Sequence, residues 1–126
     1  MEKWGAGQFE SDQFGRNMWG CPSDSSADFA WLQHMIKSIG IRRTGRCAVV
    51  LPQGVLFHSG KEGNIREQLV RSDKLEAVIT LASGVFYSTG VSACILFLNN
   101  KKEHKHKGRI CLIDGSEVYT PQRAQN

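Results

Sequence analysis

Two stretches hold residues whose types and spacing suit chemistry. The first is residues 81–100, LASGVFYSTGVSACILFLNN, where Phe86 and Tyr87 sit side by side between Ser83-Gly84 and Ser88-Thr89-Gly90. Large aromatics beside Gly and Thr in a loop suit stacking on a flat ligand such as a base. The same two rings would serve equally as a lid folded back over the core. The second stretch is residues 101–109, KKEHKHKGR, with Lys101, Lys102, Lys105, Lys107 and Arg109 set against Glu103 alone. That run accounts for the whole net charge of +4. It reads as the footprint of a phosphate backbone, or as a solvated hairpin tip that blunts a sheet edge. Arg42, Arg43 and Arg46 make a smaller basic cluster.

Other reactive side chains lead less far. His104 and His106 form an H-x-H, but in a lysine-rich turn. Cys21, Cys47, Cys94 and Cys111 are scattered without a C-x-x-C pair. A zinc site needs close ligand pairs, so reduced thiols and no metal are expected. Cys47, Cys94 and Cys111 lie in apolar runs, where a free Cys acts as a small hydrophobe.

The elements that must position these residues can be read from periodicity. At 126 residues, 40% hydrophobic and 22% charged, the chain has the make-up of one small domain with a modest core. No apolar run approaches a membrane span. The start, MEKWGAGQFE, has neither a basic head nor an apolar core, so a cytoplasmic location is expected. In residues 1–26 the aromatics Trp4, Phe9, Phe14 and Trp19 follow neither helical nor strand spacing, which predicts an irregular segment lying against something else. Asp24-Ser25-Ser26 supplies capping residues for a helix over residues 27–39, with Phe29, Leu32, Ile36 and Ile39 inward and Trp31 and Met35 widening the stripe. His34 reads as an ordinary helix residue. Residues 47–51, unbroken and apolar, predict a strand buried on both faces. A second helix follows over residues 62–71 with Ile65, Leu69 and Val70 inward, then strands over 75–81, 92–98 and 109–113. Phe97 is expected in the core, mid-strand. The strand–helix–strand unit from 47 to 81 predicts an α/β fold with a right-handed crossover. Residues 117–126 read as a flexible tail beyond an α/β domain over 27–116.

In this order the pieces ADFAWLQHMI, GRCAVVLPQGVLF, GNIREQLVRSDKLEAVITL and GVFYSTGVSACILFLN resemble the N6-adenine DNA methyltransferase domain of type I restriction-modification systems, in its modification subunit. The match runs from about Trp4 to Ser116 and resembles the C-terminal half of that domain only. It implies the second half of a class I, Rossmann-like, S-adenosylmethionine-dependent methyltransferase sheet, ending in an antiparallel hairpin. It also implies DNA, specificity and restriction subunits as partners of the full-length protein. Members bind S-adenosylmethionine through a Gly-rich turn and an acidic residue, and orient adenine with an N-P-P-F or N-P-P-Y tetrapeptide. None of these occurs in this sequence. The expectation is therefore a truncated gene or cut fragment, inactive alone and without bound cofactor.

By the same resemblance, Phe86 takes the position that stacks on the flipped target adenine, and Tyr87 beside it, without an assured role of its own, is a candidate for pocket wall. Trp31 falls where relatives place a residue against the cofactor's adenine, or it is an ordinary core position. Pro52 and Gln53, at the carboxyl end of a strand, are expected as pocket wall. Lys101, Lys102, Lys105, Lys107 and Arg109 are candidate DNA-backbone contacts. The alternative function is a stand-alone domain that binds a partner or itself through an exposed sheet edge, and an independent nucleic-acid-binding module ranks below both.

Overall fold

The longest helix, α2 (Asp28–Gly40), begins where Ser26 and Asp28 bond each other: the Ser26 hydroxyl donates to Asp28 Oδ2 at 3.1 Å. Asp28 also places an acid in the first turn, where exposed N–H groups favour negative charge. Phe29, Leu32 and Ile36 are buried, as their spacing predicts. Trp31 departs from expectation. It is 61% exposed, off the apolar stripe rather than part of it. The computed structural model describes residues 4–40 and 44–121; Arg42 and Arg43 lie outside the described residues.

Four strands follow: β1 (Arg46–Pro52), β2 (Leu75–Leu81), β3 (Ala93–Asn99) and β4 (Cys111–Gly115), with α3 (Gly60–Arg71) between β1 and β2. Their spatial order is β1-β3-β2-β4. β3 runs antiparallel to both β1 and β2, and β4 pairs parallel to β2. β1 and β2 are thus parallel but not neighbours, because β3 inserts between them. The hairpin expected across the aromatic loop is present as the β2–β3 pair.

Both long helices pack on one face. There Phe29, Leu32, Ile36, Ile65 and Leu69 meet Val49, Leu51, Val78, Cys94, Leu96 and Leu98 in a single core. The Met35 and Cys47 sulfurs stand 3.8 Å apart, and Gly45 has no room for a Cβ against Ile39. Helix α2 therefore runs back along β1, its first turn toward the strand's carboxyl end.

The structure corrects several expectations. β1 alternates rather than being buried on both faces: Val49 and Leu51 are buried, Ala48 and Val50 exposed, because the helices among the described residues cover it on one side. Val70 is 46% exposed. Phe97 is half-buried and points away from the core that Leu96 and Leu98 enter. Cys111 is exposed. The segment after β3 is no hairpin tip, since β4 pairs with β2; it is an arch across the amino end of β2.

Residues 4–26 contain a short helix, α1 (Ala6–Glu10), and otherwise turns. Two buried polar side chains fasten this segment to the helices. Gln33 accepts from Trp19 N at 2.8 Å and donates to Gly20 O at 2.9 Å. Glu62 Oε1 accepts from the Ser23 backbone N–H at 2.8 Å and from its hydroxyl at 2.5 Å. Each bond satisfies a group that would be costly to bury alone.

Candidate functional site

The carboxyl ends of β1 and β2 and the start of β3 share one end of the sheet, where open α/β sheets bind ligands. The aromatic loop lies there. Its returning arm is tied to the residue after β1 by a bond from Gln53 N to Ser92 O at 2.9 Å. The Thr89 hydroxyl accepts from Val91 N at 3.2 Å, and Gly84 and Ser88 take positive φ values of 75° and 63° that fold the loop. At its tip Phe86 is 42% exposed and Tyr87 95%. The lid alternative is thereby excluded for Tyr87, and Phe86 is only partly covered.

Gln53 and both feet of the loop, Ser83 and Ser92, line an open groove of about 700 Å³ with Leu56, Thr80, Leu112 and Asp114. In this groove the Thr80 hydroxyl donates to Asp114 Oδ1 at 3.0 Å. The Ser116 backbone N–H, with the Ser116 and Thr80 hydroxyls, holds the Asp114 carboxyl below its usual range. Pro52, exposed at the end of β1, pairs with Ala93 at the start of β3. The structure thus brings Pro52 and Gln53 to the base of the aromatic loop, where Gln53 but not Pro52 lines the groove.

Trp31 lines a different recess, of about 280 Å³, with Trp4, Phe9, Arg16 and His34. Trp4 is aimed by a hydrogen bond from its indole N–H to Ser23 O at 3.0 Å and packs edge-on against Phe9. His34 meets Trp31 edge to face at 6.2 Å. Arg16 is held by Asp12, whose carboxyl it pulls down to about 2. The recess offers aromatic walls to a purine ring. It has no carboxylate among its lining residues for a ribose and no Gly-rich turn, so it does not fit S-adenosylmethionine as a whole.

The basic run sits at the other end of the sheet, roughly 20 Å away along a seven-residue strand. One member is not a surface cation at all. Lys102 is buried: its Nζ donates to Asp73 Oδ1 and to Arg109 O, both at 2.7 Å, while Asp73 Oδ2 accepts from Gly108 N at 3.0 Å. Its expected role as a backbone contact is corrected to that of a pin holding the arch. Lys105 pairs with Glu103 at 3.2 Å. Lys101, Lys107 and Arg109 are exposed, and Arg46 joins them by pairing with Asn99 across β1 and β3. Among the described residues no group of His, Cys, Asp and Glu is arranged to hold a metal ion.

Sequence reasoning missed Phe57 and Arg66. The Arg66 guanidinium clamps the turn after β1, donating to Val55 O at 3.2 Å and His58 O at 2.6 Å. Phe57, 70% exposed, stands on that clamped turn. An Arg on a helix gives no local signal that it caps carbonyls in a preceding turn.

A family model of N-6 DNA methylases matches residues 1–126. The chain belongs to the N-6 DNA methylase family. It is 39% identical over 102 residues to the Methanocaldococcus jannaschii type I restriction enzyme MjaVIII methylase subunit, covering 81% of this chain and 17% of that protein. The Haemophilus influenzae HindI methylase subunit is 36% identical over 101 residues, 79% of this chain and 22% of its own length. Among solved structures, the Streptococcus thermophilus type I restriction-modification methyltransferase subunit superposes with a TM-score of 0.79 at 29% identity, covering 96% of this chain and 25% of that one. The methylase sheet here is thus the class I methyltransferase arrangement with its antiparallel strand, and the chain spans about a fifth of the length of these relatives.

Proposed function

We propose that this methylase chain carries the target-base side of a DNA adenine-N6 methyltransferase. The observation that carries the reading is Phe86, partly exposed at the tip of a loop whose feet are anchored at the ligand-binding end of the sheet. Extruding a base from the duplex costs a few kcal/mol, and stacking on an aromatic returns about 1–3. In this reading Phe86 stacks on the extruded adenine, Tyr87 is free to cover it from solvent, and Pro52 and Gln53 wall the pocket. Trp31 contributes one wall for the adenine of S-adenosylmethionine, which supplies the methyl group. Lys101, Lys105, Lys107 and Arg109 then meet DNA only where the duplex passes the far end of the sheet. Specificity and restriction subunits are the further partners, in the cytoplasm where the DNA lies. No helix among the described residues is long and apolar enough to cross a membrane, which is compatible with that setting.

A paired measurement tests the role of Phe86. In enzyme reconstituted with the rest of a methylase subunit, Phe86→Ala should lower methylation roughly 10- to 100-fold, the equivalent of about 1–3 kcal/mol of stacking. The melting temperature of the chain should stay nearly unchanged. Equal methylation by the variant and the parent would remove the base-stacking role. A second reading, a non-catalytic domain that binds itself or a partner, draws on the uncovered face of the sheet. A monomer of the chain alone at all concentrations would count against self-pairing.

A further inference from the structure

The polar side chains of the groove at the carboxyl end of the sheet fall into two sets. Those on its far wall are spent on one another: Thr80 donates to Asp114, which also accepts from Ser116 N. Those around the feet of the aromatic loop, Gln53, Ser83 and Ser92, line the same groove with side chains that make no hydrogen bond among the described residues. Gln53 differs from the two serines in carrying a carboxamide, with two N–H donors and a carbonyl acceptor. It is half-buried, and its main chain is fixed from both ends. Pro52 precedes it at the end of β1, and its own N–H is held by Ser92 O at 2.9 Å. The turn it begins, Gln53–Leu56, is gripped from α3 by Arg66, which takes Val55 O and His58 O. The His58 ring packs so close to Gly54 that a Cβ there would come within 2.8 Å of the imidazole. Groups set on rigid elements hold a ligand more precisely than groups on mobile loops. An unspent amide on a fixed turn, beside the loop that carries Phe86, is placed to read what enters the groove.

We propose that Gln53 reads the target base: its Nε2 donates a hydrogen bond to a ring nitrogen flanking the exocyclic amine of adenine, N7 or N1. Adenine offers a lone pair on each side of that amine. Cytosine offers one on one side only, and guanine carries a carbonyl where adenine has the amine. Glutamine against the N7 edge of adenine is a standard pairing in base recognition. Donation to a ring nitrogen leaves both amine protons free, so the contact orients the base without engaging the nitrogen that receives the methyl group. The inference rests on the reading that Phe86 and the groove hold the extruded adenine. It supplies what that stack lacks, because an aromatic ring accepts the face of any base, whereas an amide N–H needs an acceptor at one place on the base edge.

The test sets enzyme variants against substrate analogues, in enzyme reconstituted with the rest of a methylase subunit. Duplexes carry 7-deazaadenine or 1-deazaadenine at the target position, each with one ring nitrogen replaced by C–H. Gln53→Leu should lower kcat/KM for adenine roughly five- to tenfold, the weight of one net hydrogen bond. One of the two analogues should cost the parent about as much. The two losses should not add: Gln53→Leu should methylate that analogue as well as it methylates adenine. Gln53→Glu, equal in size but unable to donate when ionised, should lose at least as much as Gln53→Leu. Both variants should melt with the parent, since the side chain holds nothing in the described fold. Three results would overturn the proposal: a parent indifferent to both analogues, losses that multiply for both, or Gln53→Glu at the parent's full rate. The stack is read separately. Phe86→Ala should lower methylation of adenine and of both analogues by the same factor. An unaffected Phe86→Ala would strike the base-stacking role, while the Gln53 cycle would still report its own contact.

Discussion

The two ends of this sheet are built on opposite principles. At the carboxyl end, uncharged rings stand out from a loop held by its backbone: Phe86 and Tyr87 are exposed while the Gln53 N–H bond to Ser92 O ties the returning foot to the end of β1. At the amino end a cationic arch is held by a side chain, with Lys102 buried against Asp73 and the carbonyl of Arg109. One end keeps its large groups free of the fold, and the other commits one of its charges to the fold. An aromatic can therefore be removed from the first end at little structural cost, whereas the second depends on a buried ion pair. The comparison also shows that charge and stacking, which adjoin in the sequence, are separated by the length of a strand.

The largest expected effect is at the amino end. Asp73→Ala leaves Lys102 buried without its counter-ion, a change that costs about 3–5 kcal/mol for fully buried pairs. Asp73 is itself partly exposed, with 38% of its side chain accessible, so the low end is expected, with a clear drop in Tm by thermal denaturation. A Tm that stays at the parent's value would show that the arch does not need its pin. Second, Leu96→Ala should cost about 2–5 kcal/mol as a core truncation. Phe86→Ala should cost under about 1 kcal/mol, as surface changes usually do. Urea melts of both variants would break the comparison if Phe86→Ala matched Leu96→Ala.

The third test is pH. The hydrogen bond from Lys102, then that from Gly108 N, holds the Asp73 carboxyl below its ordinary 3.8. A depressed carboxyl contributes stability that is complete above the unfolded value and lost as pH falls through the folded one. The arch should thus loosen only below about pH 4, and Asp73→Asn should flatten that acid limb in a Tm-versus-pH series. Fourth, replacing Lys101, Lys107 and Arg109 by Gln should move stability by no more than about 0.5 kcal/mol. If the duplex does reach this end, the slope of log affinity against log salt should fall by roughly 0.9 for each phosphate no longer neutralised. An unchanged slope would confine DNA to the carboxyl end. Last, calorimetry with S-adenosylmethionine and the chain alone should show no binding at micromolar affinity, about −8 kcal/mol; a measured heat of that strength would mean the Trp31 recess is a fuller site than its lining suggests.

Much of the fold was legible because local chemistry set it. Leu75–Leu81 is a strand where the sequence predicts one, bracketed by Ser72-Asp73 and Ala82, and α2 follows from its apolar spacing and Ser26. Partner order was not legible. Nothing within residues 47–51 says that β3 would lie beside them or that helices would cover one face alone, so an alternating strand read as a doubly buried one. Within the site, the Gly- and Ser-rich neighbours of Phe86 marked a loop but left open whether its rings face out or fold back as a lid, because that depends on packing against elements distant in sequence. Lys102 did not stand apart from four similar cations, since its distinction is a carboxylate 29 residues earlier in the chain. Gln33 could have been found: it lies four residues after Phe29 and three before Ile36, so the helical period places a polar group on the buried stripe, where a partner is obligatory.

The central position of β3 has a consequence for how the molecule is made. β1 and β2 are complete by residue 81, yet among the described residues neither has a pairing neighbour until residues 93–99 exist. On a ribosome adding about 5–20 residues per second, both strands would wait with their apolar sides exposed until the third one emerged. A chaperone that releases nascent chains as they fold should therefore hold this one until β3 has cleared the exit tunnel. Arrest-peptide force profiles should show a single late step there; a step before residue 93 has left the tunnel would mean that the first two strands find interim partners.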